Sequence, residues 1–257
     1  MLRATHRDEV TLHPGTRGAA TVILLPGMIV GDWIWRSTLP LLIQANYSCL
    51  TIRDPIACIC DSVDAMTSYV GAQLDRLNIN DVTLLGASLG SAVALNFAVR
   101  YPQRVKELVL SGAPTMTGKA DLGIRSSGKL TRSIADQAMG ALFFDRSVID
   151  DAIVDRTYQT FLNPRRLINF IRLLRETEDY DTRAALQKID VDTLMVWGEQ
   201  DKISRVEDWR CILPLVKRGT FVEIERCGHT PMIELPDRFN AALFEFLNAR
   251  HPDRTPS

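Results

Sequence analysis

The stretch Gly86-Ala87-Ser88-Leu89-Gly90 has the residue types and spacing to do chemistry. Val82–Leu85 before it is a short apolar run of strand formers. Ser91–Val99 after it is a helix-forming run in which only Ser91 and Asn96 are polar. The chain must therefore turn from a buried strand into a buried helix within a few residues. Glycines at 86 and 90 remove side chains where the two elements approach, and the serine takes the apex beside a helix N-terminus. That placement presents a hydroxyl for attack on a carbonyl carbon. The same glycine spacing also fits a strand-to-helix turn of a nucleotide-binding fold, in which Ser88 would only cap the helix.

A serine hydroxyl at its free pKa is a poor nucleophile. It needs a base, and the base needs an orienting carboxylate. The chain has four histidines. His6 and His13 lie near the N-terminus and His251 near the C-terminus, whereas His229 sits in Cys227-Gly228-His229-Thr230-Pro231, between a strand-like run and a helix-like run. An acid is available in Gly198-Glu199-Gln200-Asp201, directly after the apolar run Thr193–Trp197. Asp201 is the candidate and Glu199 its rival. The order along the chain is serine, acid, histidine.

These residues must be carried by a sheet. Thr21–Leu25, Tyr47–Arg53, Val82–Leu85 and Val105–Leu110 read as strands, with Glu9–Leu12 a short first one. Between them, Trp33–Ala45 reads as an amphipathic helix with a boundary at Pro40, and Val63–Leu77 as another capped by Ser62. Asp54–Asp61 reads as irregular. Strand and helix alternating in this way imply right-handed crossovers and a mostly parallel central sheet flanked by helices, an α/β class. The alternation stops at Pro114. Residues 115–189 show helical periodicity, clearest at Asp145–Phe161 and Pro164–Thr177, and no convincing strand. The pattern resumes with Thr193–Trp197, a helix near Val206–Val216, the strand Thr220–Ile224 and a last helix Pro236–Asn248. The expected organisation is one core, residues 1–114 and 190–257, interrupted by a helical insertion at 115–189.

The chain has 257 residues, 46% hydrophobic and 24% charged, with 30 basic and 31 acidic residues. A net charge of −1 gives no field that would favour nucleic acid or an anionic membrane. No apolar run approaches transmembrane length, and MLRATHRDEV has no apolar segment of the signal-peptide kind, so the cytoplasm is the expected location. Five cysteines without paired C-x-x-C spacing, including Cys58-Ile59-Cys60, read as reduced structural thiols. No metal-ligand spacing and no G-x-x-x-x-G-K-[ST] phosphate loop occurs, so neither metal nor cofactor is expected.

On the G-x-S-x-G turn, the serine–acid–histidine order and the G-H-x-P context of His229, the chain resembles the α/β-hydrolase fold family from about Thr21 to Leu247. The resemblance implies Ser88 as nucleophile, His229 as base and Asp201, three residues after the strand-ending glycine, as acid. It also implies an oxyanion hole made by the backbone N–H groups of Leu89 and Met28, the latter in Pro26-Gly27-Met28 where relatives often read His-Gly-X. Relatives also carry glycines after their corresponding strand, where Asp54–Ser62 has none, so pocket shape does not carry over. The insertion sits where relatives place a cap over the serine. It offers Leu142, Phe143, Phe144, Tyr158, Phe161 and Phe170, most of which base rates assign to its own core. Phe144, Trp33 and Arg156 are the candidate substrate contacts.

The expected activity is hydrolysis of a small-molecule ester, thioester or lactone through an acyl-enzyme on Ser88. RTYQTFLNPRRLINFIRLL at Arg156–Leu174, with the later WGEQD and CGH segments, is also similar to carbon–carbon bond hydrolases of ring-cleavage products. In that group a cap arginine contacts a substrate acid group, and Arg156 is the nearest match to it. Those relatives usually place asparagine before the serine, where this chain has Ala87. A ligand-binding receptor or scaffold that keeps the fold is the third reading. Lys119, Arg125, Lys129 and Arg132, against Asp121, form either a solvated face or a landing site for an acyl carrier protein or a carboxylated substrate.

Overall fold

In the computed structural model, which describes residues 9–16, 19–114 and 131–252, seven strands form one sheet: β1 (Val10–His13), β2 (Thr21–Leu25), β3 (Ser48–Ile52), β4 (Val82–Ala87), β5 (Val105–Ser111), β6 (Asp192–Gly198) and β7 (Gly219–Ile224). Their order across the sheet is β1-β3-β2-β4-β5-β6-β7. Only β1 runs antiparallel, against β3; the others are parallel. Parallel strands are covered on both faces, so they read as unbroken apolar runs. All six residues of β4 are buried, and Ile23, Leu24 and Leu25 of β2 are fully so. Each such side chain stabilises the fold by roughly 1.5–3 kcal/mol, which makes the centre of the sheet a rigid base for whatever leaves its edge.

The described helices are α1 (Leu39–Gln44), α2 (Ile56–Ile59), α3 (Val63–Arg76), α4 (Leu89–Arg100), α5 (Arg132–Ala141), α6 (Asp151–Leu162), α7 (Pro164–Asp179), α8 (Thr182–Lys188), α9 (Val206–Ile212), α10 (Pro231–Glu234) and α11 (Pro236–Asn248). Ser62 caps α3 by accepting from the Ala65 N–H at 3.1 Å, as its position predicts. The expected helix Trp33–Ala45 is instead a 3₁₀ turn, Asp32–Trp35, followed by α1. Pro40 lies in the first turn of α1, where a missing N–H costs nothing, and it prevents the preceding turn from running on. Asp145–Phe161 divides in the same way. Asp145 accepts from the Ser147 N–H and Asp150 from the Ile153 N–H, so each aspartate starts its own turn and the run splits at Asp150. The segment read as irregular contains α2, which follows Pro55.

Four described helices, α5 to α8, lie between β5 and β6. Helix α7 packs on α2, and α8 packs on α4. The buried Asn169 amide donates to the Ala57 carbonyl at 3.1 Å. Glu176 accepts from the Val63 N–H at 2.8 Å, and burial raises its carboxyl above the ordinary value. At the opposite edge of the sheet, buried Glu107 of β5 accepts from the Thr83 hydroxyl and pairs with His251 Nε2 at 3.0 Å. That contact ties the segment after α11 to the start of β4 and β5.

All five cysteines are free thiols. Burial pushes Cys49 up to about 12 and Cys60 up to about 11, which keeps them protonated and unreactive at neutral pH. Among the described residues no helix is long and apolar enough to cross a membrane, and no group of three or more His, Cys, Asp or Glu could hold a metal ion.

Candidate active site

Because β2 to β7 are parallel, their carboxyl ends share one edge. After β2 the chain passes outward to β3, then returns across β2 to β4. Adjacent strands whose connections depart in opposite directions leave a crevice at their carboxyl ends. The loop after β2 brings Met28 there and the turn after β4 brings Ser88. The exits of β5, β6 and β7 add Gly112, Asp201 and His229.

Ser88 has φ 54° and ψ −123°, a conformation that costs a non-glycine residue of order 1–3 kcal/mol. Its surroundings hold it there. The Ser88 N–H donates to the Ser111 carbonyl at 2.8 Å. A Cβ on Gly86 would lie 2.5 Å from the Gly90 carbonyl oxygen, and one on Gly90 would lie 2.4 Å from the carbonyl oxygens of Leu25 and Pro26. Glycine at both positions is thus what lets α4 start against the end of β2. Ser91 adds a fastening that its sequence context does not reveal. Its buried Oγ lies 2.7 Å from the Gly86 carbonyl and accepts from the Ser111 N–H at 3.1 Å.

Asp201 and His229 are both buried, and Asp201 Oδ2 lies 2.8 Å from His229 Nδ1. The other carboxylate oxygen accepts from the N–H groups of Ile203 and Ser204 at 2.8 and 2.9 Å. Ser204 is itself fixed, donating to the Ala113 carbonyl at 2.6 Å and accepting from Trp209 Nε1 at 2.8 Å. The rival Glu199 is exposed and accepts from the Gln200 side chain. The structure therefore places Asp201, and not Glu199, against the imidazole. His229 Nε2 is buried without a hydrogen-bond partner among the described residues, and it faces the same cavity as Ser88. No hydrogen bond joins Ser88 Oγ to Nε2 in this structure, an arrangement common in unliganded sites that tighten on binding. Burial pushes the neighbouring Cys227 thiol up, which keeps it protonated at neutral pH.

Gly112 is a residue that the sequence reading passes over. It has φ +58°, and a Cβ there would lie 2.8 Å from His229 Cε1 and 2.9 Å from Nδ1. The glycine is a floor for the imidazole. Gly112→Ala is expected to displace the ring and lower kcat/KM about 100-fold, the usual cost of an ångström-scale misplacement. It should also destabilise the fold by about 1–2 kcal/mol through its positive φ. Steady-state kinetics beside a denaturant melt check both values.

The cavity is walled by Met28, Ile34, Leu142, Phe170, Leu174 and Ile203, with Thr177 and Glu178 of α7 as its polar edge. Among its described lining residues there is no lysine or arginine. Leu89 lines it as well, and neither the Leu89 nor the Met28 N–H donates to an acceptor among the described residues. Of the insertion's candidate lining residues, Leu142 and Phe170 reach the cavity. Phe143 and Phe161 are buried and Tyr158 packs against the core.

Trp33, Arg156 and Phe144 are not part of the described lining. Trp33 is half-buried against the core with the Arg36 guanidinium 5.8 Å from its ring centroid. Arg156 falls between the buried positions of α6 and faces outward. Phe144 is 44% exposed, because its N–H is drawn to the Glu234 carboxylate at 3.2 Å while its ring stays on the surface. Of the basic stretch, Lys119, Arg125 and Lys129 lie outside the described residues, as does Asp121. Arg132 is paired within the chain, with Asp151 at 2.5 Å and Asp155 at 2.6 Å.

A profile of the alpha/beta hydrolase family matches residues 22–242. This chain belongs to that family. As a member it is a hydrolase, and the relatives it matches act on small molecules. One, the 2-hydroxy-6-oxononadienedioate/2-hydroxy-6-oxononatrienedioate hydrolase of Paraburkholderia xenovorans, is 27% identical, over 93% of this chain and 91% of the relative. Another, the 2-hydroxy-6-oxo-6-phenylhexa-2,4-dienoate hydrolase of Burkholderia cepacia, is 28% identical, over 69% of this chain and 66% of the relative. Among solved structures, a meta-cleavage product hydrolase from Pseudomonas fluorescens superposes with a TM-score of 0.80 at 22% identity, covering 94% of each chain. At that identity the superposition shows the fold alone.

Proposed function

We propose that this hydrolase cleaves a carbon–carbon bond beside a ketone in a dienoate of the ring-cleavage type, and that the group on the ketone is apolar and uncharged. The observation that carries the first part is the set of relatives named for such substrates. A compound with a 6-oxo group, carboxylates and no ester offers water only a carbon–carbon bond to break. The second part is supported by the described lining around Ser88. A carboxylate on the ketone side would be buried among apolar walls with no described lysine or arginine beside it, at a cost of several kcal/mol, whereas the dienoate's own carboxylate lies at the far end of its chain from the ketone. The phenyl group of the Burkholderia cepacia enzyme's substrate has the chemistry of these walls, whereas a second carboxylate does not. The helices between β5 and β6 serve as a cap, since α7 supplies one wall.

In this reading Ser88 Oγ attacks the ketone carbon while His229 Nε2 takes the hydroxyl proton. Asp201 holds the imidazole with Nδ1 protonated and stabilises the imidazolium. The Met28 and Leu89 N–H groups receive the oxyanion, each such donor contributing about 100- to 1000-fold in turnover. When the tetrahedral species collapses, the carbon–carbon bond breaks. The departing carbon carries its electron pair into the conjugated carbonyl formed when the 2-hydroxyl has tautomerised, and the proton on His229 is returned to it. Water, deprotonated by His229, then cleaves the acyl-enzyme to a carboxylic acid.

Hydrolysis of an ester, thioester or lactone uses the same first half and is the second reading. Ala87 favours it: buried beside Ser88 on the cavity wall, its methyl gives a dienoate no polar contact. Steady-state rates on the 6-phenyl dienoate, the nonadienedioate and p-nitrophenyl butyrate separate these readings. The expected result is a kcat/KM for the phenyl compound at least about 10-fold above that for the dioate. Equal rates on the two would remove the uncharged-group assignment. Turnover of the ester with neither dienoate cleaved would replace the carbon–carbon reading with the ester one.

A further inference from the structure

Glu234, the last residue of α10, is a buried carboxylate that bonds both to the loop leading into α10 and to a segment 89 and 90 positions earlier in the chain. Its Oε2 accepts from the Gly228 N–H at 2.8 Å and from the Phe144 N–H at 3.2 Å. Its Oε1 accepts from the Asp145 N–H at 2.6 Å. Gly228 immediately precedes the histidine, and Phe144 and Asp145 follow Leu142, which walls the cavity. The same two segments are joined again by the His229 N–H, which donates to the Leu142 carbonyl at 2.8 Å. A Cβ on Gly228 would lie 2.7 Å from the Phe144 nitrogen and 2.8 Å from the Leu142 carbonyl oxygen, so the segments touch backbone to backbone. A buried carboxylate needs several donors, and charge-assisted bonds of this kind are the strong ones. Here the donors are backbone groups of the histidine loop and of the cavity wall.

We propose that Glu234 is a positioning residue that joins the base to the substrate cavity: it fixes His229 through Gly228 and fixes the 142–145 wall through Phe144 and Asp145, so that the two keep one relative position. The inference rests on His229 being the base that activates Ser88. Glu234 does not touch substrate; it sets where Nε2 stands relative to Ser88 Oγ and to the acyl group lodged against Leu142. In Glu234→Gln one oxygen remains and an amide NH₂ is turned toward a backbone N–H, so at least one of the three bonds is lost and replaced by a donor–donor clash.

The test is the rate of covalent labelling of Ser88 by an alkyl fluorophosphonate, with the maximal rate and the half-saturating probe concentration measured separately. Glu107→Gln is the control, a buried carboxylate with comparable bonds at the opposite edge of the sheet. Glu234→Gln is expected to lower the maximal labelling rate about 10-fold or more while the half-saturating concentration stays within about 2-fold. Glu107→Gln is expected to lower the melting temperature and leave both labelling constants within about 2-fold. Should Glu234→Gln not fold, Glu234→Asp keeps the charge and is short by one methylene; it should lose about 5-fold or more in the same rate. Labelling of the Glu234 variants at the wild-type rate, with only the melting temperature lowered, would overturn the positioning role and leave the serine hydrolase reading standing. Absence of labelling in the wild-type protein would overturn that reading and this inference together.

Discussion

Ser88→Ala is expected to remove turnover, a loss of about 10⁶-fold in kcat, while the melting temperature stays within about 2 °C of wild type. The two halves of this expectation have separate causes. The hydroxyl makes no capping hydrogen bond to α4, so the fold does not depend on it. The features that hold the turn are the Ser88 N–H bond to Ser111, the two flanking glycines and Ser91, and alanine keeps all of them. Alanine also keeps the Cβ, so the positive φ is neither relieved nor made worse. What is lost is the one atom that can form the acyl bond. A variant that retained even about one part in 1000 of wild-type kcat would indicate direct attack by water on the substrate, with Ser88 in an electrostatic role only.

Asp201→Asn is expected to cost about 10⁴-fold in kcat with little change in substrate affinity. The direction of the side chain decides this. One carboxylate oxygen accepts two backbone N–H groups, from Ile203 and Ser204, so an asparagine at this position must keep its carbonyl there. Its NH₂ is then aimed at His229 Nδ1. The imidazole answers by accepting at Nδ1 and carrying its proton on Nε2, the atom that should take the proton from Ser88. Geometry survives and the base is lost. Glu199→Gln, two residues away and exposed, is the matched control and should leave kcat within about 2-fold. Steady-state kinetics on both variants, with one substrate, settles which carboxylate serves the histidine.

Residues whose role is made within a few positions of themselves are legible in the sequence. Gly86, Ser88 and Gly90 form one turn, and α11 runs Pro236–Asn248 as its apolar spacing and leading proline predict. The pairing of Asp201 with His229 is legible as a candidate because each follows a strand whose end can be read. The parallel sheet follows from the alternation of strands and helices. Glu234 is different. Its partners Phe144 and Asp145 lie 90 and 89 positions away, and no local pattern announces such a contact. Gly112 reads as an ordinary post-strand glycine until the histidine loop is folded over it. The insertion's lining was only partly legible for the same reason. An amphipathic helix states which face is buried, but not whether that face meets the rest of the core or a cavity. Leu142 and Phe170 meet the cavity, Phe143 and Phe161 are buried elsewhere, and Phe144 remains at the surface.

Intact-mass analysis after exposure to a fluorophosphonate, on wild type and on Ser88→Ala, His229→Ala and Asp201→Asn, tests the assembled site most directly. A half-buried Ser88 on the cavity wall should take one adduct in the wild-type protein. The adduct should be absent in Ser88→Ala and at least about 1000-fold slower to form in the other two. A folded wild-type chain that takes no adduct, or labelling that persists in His229→Ala at the wild-type rate, would contradict the assignment of Ser88, His229 and Asp201 as one catalytic unit.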